Sequence, residues 1–386
     1  MNKLVKTSYS EDDVTVLLKD LTDKMKEMST EEREKAIQSG VHYSEMLPEE
    51  KAPSAEYEKL YTKALEDKKH DIAIGIARIS EMMLIKSGYT LDDKTKCSIN
   101  NKKPIVVSLA RAGIPVGILI KRYLKEQHGI DCAHYAISII RDKGIDNNAM
   151  EYIYNKEVIE NHNIVQNMFF VDGWTGKGMI KMQLDEAVQE LKGLDSKWNE
   201  LNNDLFVLAD PANITKFCGT RADFLLPSAC LNSTVSGLTS RTILNKLIDI
   251  SNGDFHGAVY FKKFETIDKS NEFINIISNE FKHLDCISIE PLDIDTGWNG
   301  MSITTDICNL FDVKDFKKVK PGIGETTRVL LRRIPWKVLI NKDISDDDPD
   351  IQHILLLCEE KKVPVMRWDL GHYKVCGIIK ELSADA

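Results

Sequence analysis

No C-x-x-C pair, no H-E-x-x-H and no histidine cluster occurs in these 386 residues, so neither a zinc knuckle nor a zincin-type centre is encoded. The eight cysteines stand singly at 97, 132, 218, 230, 286, 308, 358 and 376, mostly in apolar surroundings, as reduced core thiols do. No run of eighteen apolar residues is present, which argues against a membrane-spanning helix. The opening MNKLVKTSYSEDD carries no apolar stretch of signal-peptide type, and the expected location is cytoplasmic. Both common phosphate-loop patterns, G-x-x-x-x-G-K-[ST] and G-x-G-x-x-G, are missing. A net charge of −9 argues against nonspecific binding of nucleic acid or membrane by the whole surface.

What is present is an α/β pattern long enough for two or three domains, with 42% apolar residues to build a core. Residues 164–191 are the most informative. An apolar run, Met168 to Val171, ends in Asp172, followed by the turn Gly173-Trp174-Thr175-Gly176-Lys177-Gly178. An amphipathic helix then places Ile180, Leu184, Ala187, Val188 and Leu191 on one face. Glycines that admit backbone N–H groups, a hydroxyl and a helix N-terminus together suit a phosphate ester. A second strand–turn–helix unit, PIVVSLARAGIPVGILIKRYL at 104–124, carries the turn Ala110-Arg111-Ala112-Gly113. Its Arg111 fork pairs two oxygens of an anion. Between these units, Arg141 and Lys143 lie in a charged, glycine-containing loop.

The two turns, in this order, resemble the diphosphate and 5′-phosphate loops of type I phosphoribosyltransferases, closest to the uracil-type members. Gly173 stands where many members carry a second acid. The resemblance implies a phosphoribosyltransferase-like parallel sheet and 5-phosphoribosyl-1-diphosphate (PRPP) as substrate. It also implies Mg2+ arriving with PRPP, and no protein-held metal. Asp172 would then orient the ribose, Gly173 to Gly178 would hold the 5′-phosphate, and Arg111, Ala112 and Gly113 the leaving diphosphate. Arg141 or Lys143 would close above. Transfer to a base-like acceptor would follow, read by Asn232, Ser236, Gly237 and Arg241 in the hydroxyl-rich stretch PSACLNSTVSGLTSRT at 227–242.

Residues 319–386 resemble a Pelota-type RNA-binding domain: a Gly-rich entry, a helix, a strand, an acidic turn, a helix, a strand and a short final element. The resemblance implicates Lys320, Gly322, Gly324, Glu325, Thr326, Arg328, Arg332 and Arg333 in binding structured RNA. Eleven basic residues face eleven acidic ones over this segment, so affinity has to come from that local cluster, and Asp343 to Asp350 repel phosphate.

The combination is similar to a family associated with tellurite-resistance (Ter) stress operons, also labelled cysteine protease StiP. Under that label Cys230 is the nucleophile, with His256 as base. A third reading is a PRPP-sensing, RNA-binding regulator without turnover. The expected organisation is a helical N-terminal extension at 1–100, a phosphoribosyltransferase-like domain at 101–318 and a Pelota-like domain at 319–386, in a chain open to oligomerisation. Within the extension, helices are expected from Val14 to Met28, from Ser29 to Gly40 behind a Ser29/Glu32 capping box, from Ala55 to Lys69 and from Ile72 to Lys86. No catalytic spacing is legible in 243–318.

Overall fold

A computed structural model describes residues 3–89, 102–284 and 299–380. Its centre is a six-stranded sheet in which every neighbouring pair is parallel. In chain order the strands are β1 (Thr15–Val16), β2 (Ile105–Leu109), β3 (Ala133–Ile137), β4 (Met168–Trp174), β5 (Leu205–Ala209) and β6 (Cys218–Thr220). Across the sheet they run β1-β3-β2-β4-β5-β6. IVVSL and LFVLA read as unbroken apolar runs because both faces of the sheet are covered. Val106, Phe169, Phe206 and Leu208 enter one core, and Ile105, Val107, Phe170 and Val207 the other.

The N-terminal segment differs from expectation. Residues 14–28 form no helix: Thr15–Val16 joins the main sheet, Lys19–Asp20 pairs with Gly257–Ala258, and Glu27–Met28 pairs with Leu47–Pro48. The β-branched run Val14-Thr15-Val16 suits a strand, and Val14, Val16, Leu17, Leu18 and Leu21 are all buried there. The helix α1 (Thr30–Gln38) starts as the sequence indicates, with the Ser29 N–H donating to the Glu32 carboxylate at 2.7 Å and the Glu32 N–H donating back to the Ser29 hydroxyl. The two helices expected after Pro53 are one, α2 (Ala55–Lys86), capped by Ser54; no proline or turn signal interrupts it.

α2 and α3 (Gly113–His128) cover the first core, and α4 (Met179–Leu194) covers the second. A four-residue helix, α5 (Pro227–Cys230), and the longer α6 (Ser270–Glu280) follow. The C-terminal unit is a separate α/β domain: α7 (Gly300–Phe311), β7 (Val319–Pro321), α8 (Ile323–Arg332), β8 (Pro335–Asn341), α9 (Gln352–Glu360), β9 (Val365–Trp368) and β10 (Val375–Ile379). Its sheet order is β7-β10-β8-β9, mixed, with β9 at the edge. Among the described residues no helix is long and apolar enough to cross a membrane.

Candidate functional site

The parallel sheet opens its carboxyl edge at the turns after β2, β4 and β5, the usual location of a crevice in such folds. The two turns singled out in the sequence are neighbours. Gly113 lies so close to β4 that a Cβ there would stand 2.3 Å from the Val171 carbonyl oxygen, and one on Gly173 would stand 3.0 Å from that of Ala112. Asp172 accepts from the Gly173 N–H at 2.8 Å, and burial pushes its carboxyl up to about 7.

The rest of the turn is already engaged. Thr175 is buried and donates its hydroxyl to Asp210, which also accepts the Ile214 and Thr215 N–H groups at 2.8 and 2.9 Å and pairs with Arg221. Lys177 donates to the carbonyls of Phe316 and Val319, at 2.5 and 2.9 Å, and burial draws its ammonium down to about 8. Tyr373 donates its hydroxyl to the Gly176 carbonyl at 2.6 Å. The C-terminal domain therefore binds the Gly176 carbonyl and the Lys177 side chain of the turn in which a phosphate was expected.

Arg111 donates to the Thr239 carbonyl at 2.9 Å and lies 3.4 Å from Glu50. Glu50 takes the Ser233 N–H and hydroxyl, each at 2.6 Å. Burial opposes its charge, but Arg111 and Ser233 outweigh burial and hold the carboxyl below its usual range. Arg241 donates to the Tyr43 carbonyl at 2.6 Å; burial, with Arg33 and Arg111 nearby, lowers it to about 10. The Arg141 N–H donates to the Tyr43 hydroxyl at 3.0 Å, while Lys143 is exposed. No spacing pattern marks Arg33, Tyr43 or Glu50, which stand in short irregular segments or a polar helix.

The expected acceptor residues are packed rather than arranged around an opening. Ser236 donates to the Asn232 carbonyl at 2.7 Å, and Gly237, at φ +76°, donates to Ser270 and is wedged against Thr7 and Tyr9. Cys230, 1% exposed, ends α5 with its Sγ 3.7 Å from the Leu226 carbonyl and lies beside Tyr61. His256 is elsewhere: its Nδ1 meets Ser138 Oγ at 2.8 Å, its N–H donates to Asp146, and burial lowers the ring to about 4. The structure thus corrects the Cys230–His256 pairing. Burial pushes Cys132, Cys218 and Cys376 up to about 12 and Cys358 to about 11.

Several of the residues expected to grip RNA lie along the seam with the first domain. Asp223 accepts the N–H groups of Ile323 and Lys374, each at 2.8 Å, and burial pushes its carboxyl up to about 7. Gly322 lies beside Asp223, and Gly324 against Ala229. Arg328 donates to the Ala229 carbonyl at 3.1 Å and lies over the Trp174 ring at 5.2 Å. Glu325 pairs with Arg328 at 3.0 Å and with Lys320 at 3.8 Å, and Thr326 is buried with its hydroxyl on the Lys320 carbonyl. Arg332 ends α8, and Arg333 after it is exposed. Among the described residues no group of three or more His, Cys, Asp or Glu is arranged to hold a metal.

The family model described as "Tellurite-like stress resistance cysteine protease StiP" matches residues 7–278, and that described as "PELOTA RNA binding domain" matches 298–381. "Cysteine protease StiP" of Acinetobacter baylyi is 30% identical over 388 residues, an alignment covering 97% of this chain and 94% of that protein. The chain belongs to the StiP family. Its C-terminal unit is Pelota-like. This membership overturns the phosphoribosyltransferase identity, and with it PRPP as substrate, transfer to a base-like acceptor and the PRPP-sensing alternative. In the structure the Lys177 ammonium, expected at the phosphate, is committed instead to the Phe316 and Val319 carbonyls. Magnesium had been attached to PRPP and loses that basis.

Proposed function

We propose that this StiP-family chain is a thiol-dependent peptide hydrolase with Cys230 as nucleophile, joined to a C-terminal RNA-binding module, and that it works in the cytoplasm. Its relation along nearly the whole length to a protein named cysteine protease StiP supports the activity, and the match of 298–381 supports the RNA module. The singly placed thiols suit a reducing compartment.

One observation carries the assignment to Cys230. Its loop is tied to the RNA-type domain one residue away, where Arg328 holds the Ala229 carbonyl. The thiol is buried against Leu226 and Tyr61, and in this reading a shift of α8 that withdraws Arg328 frees α5 and exposes Sγ. The exposed thiol adds to a peptide carbonyl carbon as the C–N bond breaks and its proton leaves with the amine; water then hydrolyses the thioester, releasing the carboxylic acid and returning the thiol. Arg33, Arg111 and Arg241 set against Glu50 favour a substrate with acidic groups.

The test is hydrolysis of a fluorogenic protein substrate by the full chain, with and without RNA. Cys230→Ala should remove turnover by at least about a hundredfold, while Cys308→Ser, on the partly exposed α7, should keep it. Equal turnover in wild type and Cys230→Ala would overturn the assignment.

A further inference from the structure

We propose that an exposed strip of the C-terminal sheet, from Trp336 at the start of β8 to Trp368 on the edge strand β9, stacks the bases of single-stranded RNA. The proposal rests on the RNA reading above and deepens it by naming the surface and the form of RNA. The expected RNA-gripping face, Gly322 to Arg328, is held in the seam against Asp223, Ala229 and Trp174. Another surface therefore has to do the binding in the closed chain.

Among the described residues the C-terminal sheet offers such a surface. On the side of the sheet facing α7, the core is built on Val319, Leu339, Cys376 and Ile378, and the edge strand β9 is exposed along all four residues. Pairing sets Met366 beside Leu339 and Trp368 beside Asn341, so both lie on the face that Leu339 shares with Lys337. At the other end a register shift between Pro335 and Lys337 turns Trp336 toward Lys337. The Lys337 Nζ stands 4.0 Å from the Trp336 ring centre and 4.2 Å from that of Phe311. Trp336 and Trp368 are 37% and 39% exposed, and Met366 lies between them at 42%. Five residues separate Trp336 from the level of Trp368, about 17 Å along a strand, the reach of several stacked nucleotides.

Exposed aromatic faces on a sheet beside a cation are the physical requirement for holding unpaired bases. Lys337 supplies positive charge at the Trp336 end of this strip. No carboxylate pairs with Lys337 among the described residues. Farther along, Arg367 is paired with Asp346 and Lys342 with Asp369, so that end contributes stacking rather than charge. The acidic turn at 343–350 disfavours the dense phosphates of a duplex.

The experiment titrates the full chain into a labelled twelve-residue oligouridylate and, separately, a labelled RNA hairpin, following anisotropy and tryptophan quenching. Trp336→Ala and Trp368→Ala should each weaken oligouridylate binding about tenfold, with less quenching. Trp336→Phe should retain most of the affinity, and Lys337→Glu should reduce it. Thermal melts establish that each variant is folded, and the surface changes Trp336→Phe and Lys337→Glu decide if an alanine variant is not. Unchanged affinity in the tryptophan variants overturns the proposal. So does binding of the hairpin alone, which leaves the RNA reading standing; failure of both probes removes that reading as well. Self-association abolished by Trp368→Ala with RNA affinity intact marks the face as a protein contact and also overturns it.

Discussion

The Tyr373 hydroxyl donates to the Gly176 carbonyl at 2.6 Å, joining residues 197 positions apart across the domain seam. Removing that hydroxyl leaves the carbonyl without this donor in a place where Tyr373 itself is fully buried. Tyr373→Phe should cost about 1–3 kcal/mol. Hydrogen exchange should quicken at 174–178 and along α8 together, because the seam opens as a unit. Faster exchange in one domain only would show that the bond does not couple them.

Gly300 shares this contact. A Cβ there would lie 2.0 Å from the Tyr373 hydroxyl oxygen, 2.9 Å from the Ala212 Cβ and 3.1 Å from the Lys177 Cα. Gly300→Ala should therefore destabilise by about 1–3 kcal/mol through overpacking. Because the worst clash is with the hydroxyl, Tyr373→Phe should relieve part of it. The double variant should melt above the sum of the two single losses, a non-additivity of about 0.5 kcal/mol or more. Strict additivity would place the strain elsewhere.

Glu50 ties the Arg111 turn to the loop that carries Cys230, through Ser233. Its carboxyl is held below the usual range, so its stabilising contribution is present above the unfolded value and lost as pH falls through the folded one. Glu50→Gln should cost about 1.5–3 kcal/mol near neutrality and progressively less in acid. Melts across pH 3 to 7 measure this. A loss that stays constant with pH would mean that geometry, not charge, matters at this position.

Both strand–turn–helix units were legible because an apolar strand, a glycine turn and an amphipathic helix each leave a local signature, and the structure does place Gly113 against β4. The order of the C-terminal elements was legible for the same reason. What Gly176 and Lys177 bind was not: their partners, Phe316, Val319 and Tyr373, lie 139 to 197 residues away and carry no pattern that points back. Residues 14–28 were misread because their apolar spacing fits a helix as well as short strands; pairing with β3 and with Gly257–Ala258 decides between them. Asp223 gave no signal either, since a lone acid after β6 becomes notable only when a second domain buries it.

Asp223 offers the clearest pH test of the seam. Its carboxyl accepts the first N–H of α8 and that of Lys374, yet burial outweighs both and raises it to about 7. A raised acid keeps its proton in the folded chain after the unfolded chain has lost it. Its contribution is therefore full below the ordinary carboxylate value and disappears as pH climbs toward 7. Asp223→Asn is neutral at every pH but turns one amide N–H toward a backbone donor, so at pH 5 it should melt below wild type. By pH 8 wild type holds a buried charge that the variant lacks, and the gap should close or reverse. Asp172 is raised in the same way, but it is present in both proteins and cancels in the comparison. A gap that widens from pH 5 to pH 8 would mean that the two N–H groups and Lys374 compensate the carboxylate fully, leaving the seam insensitive to its proton.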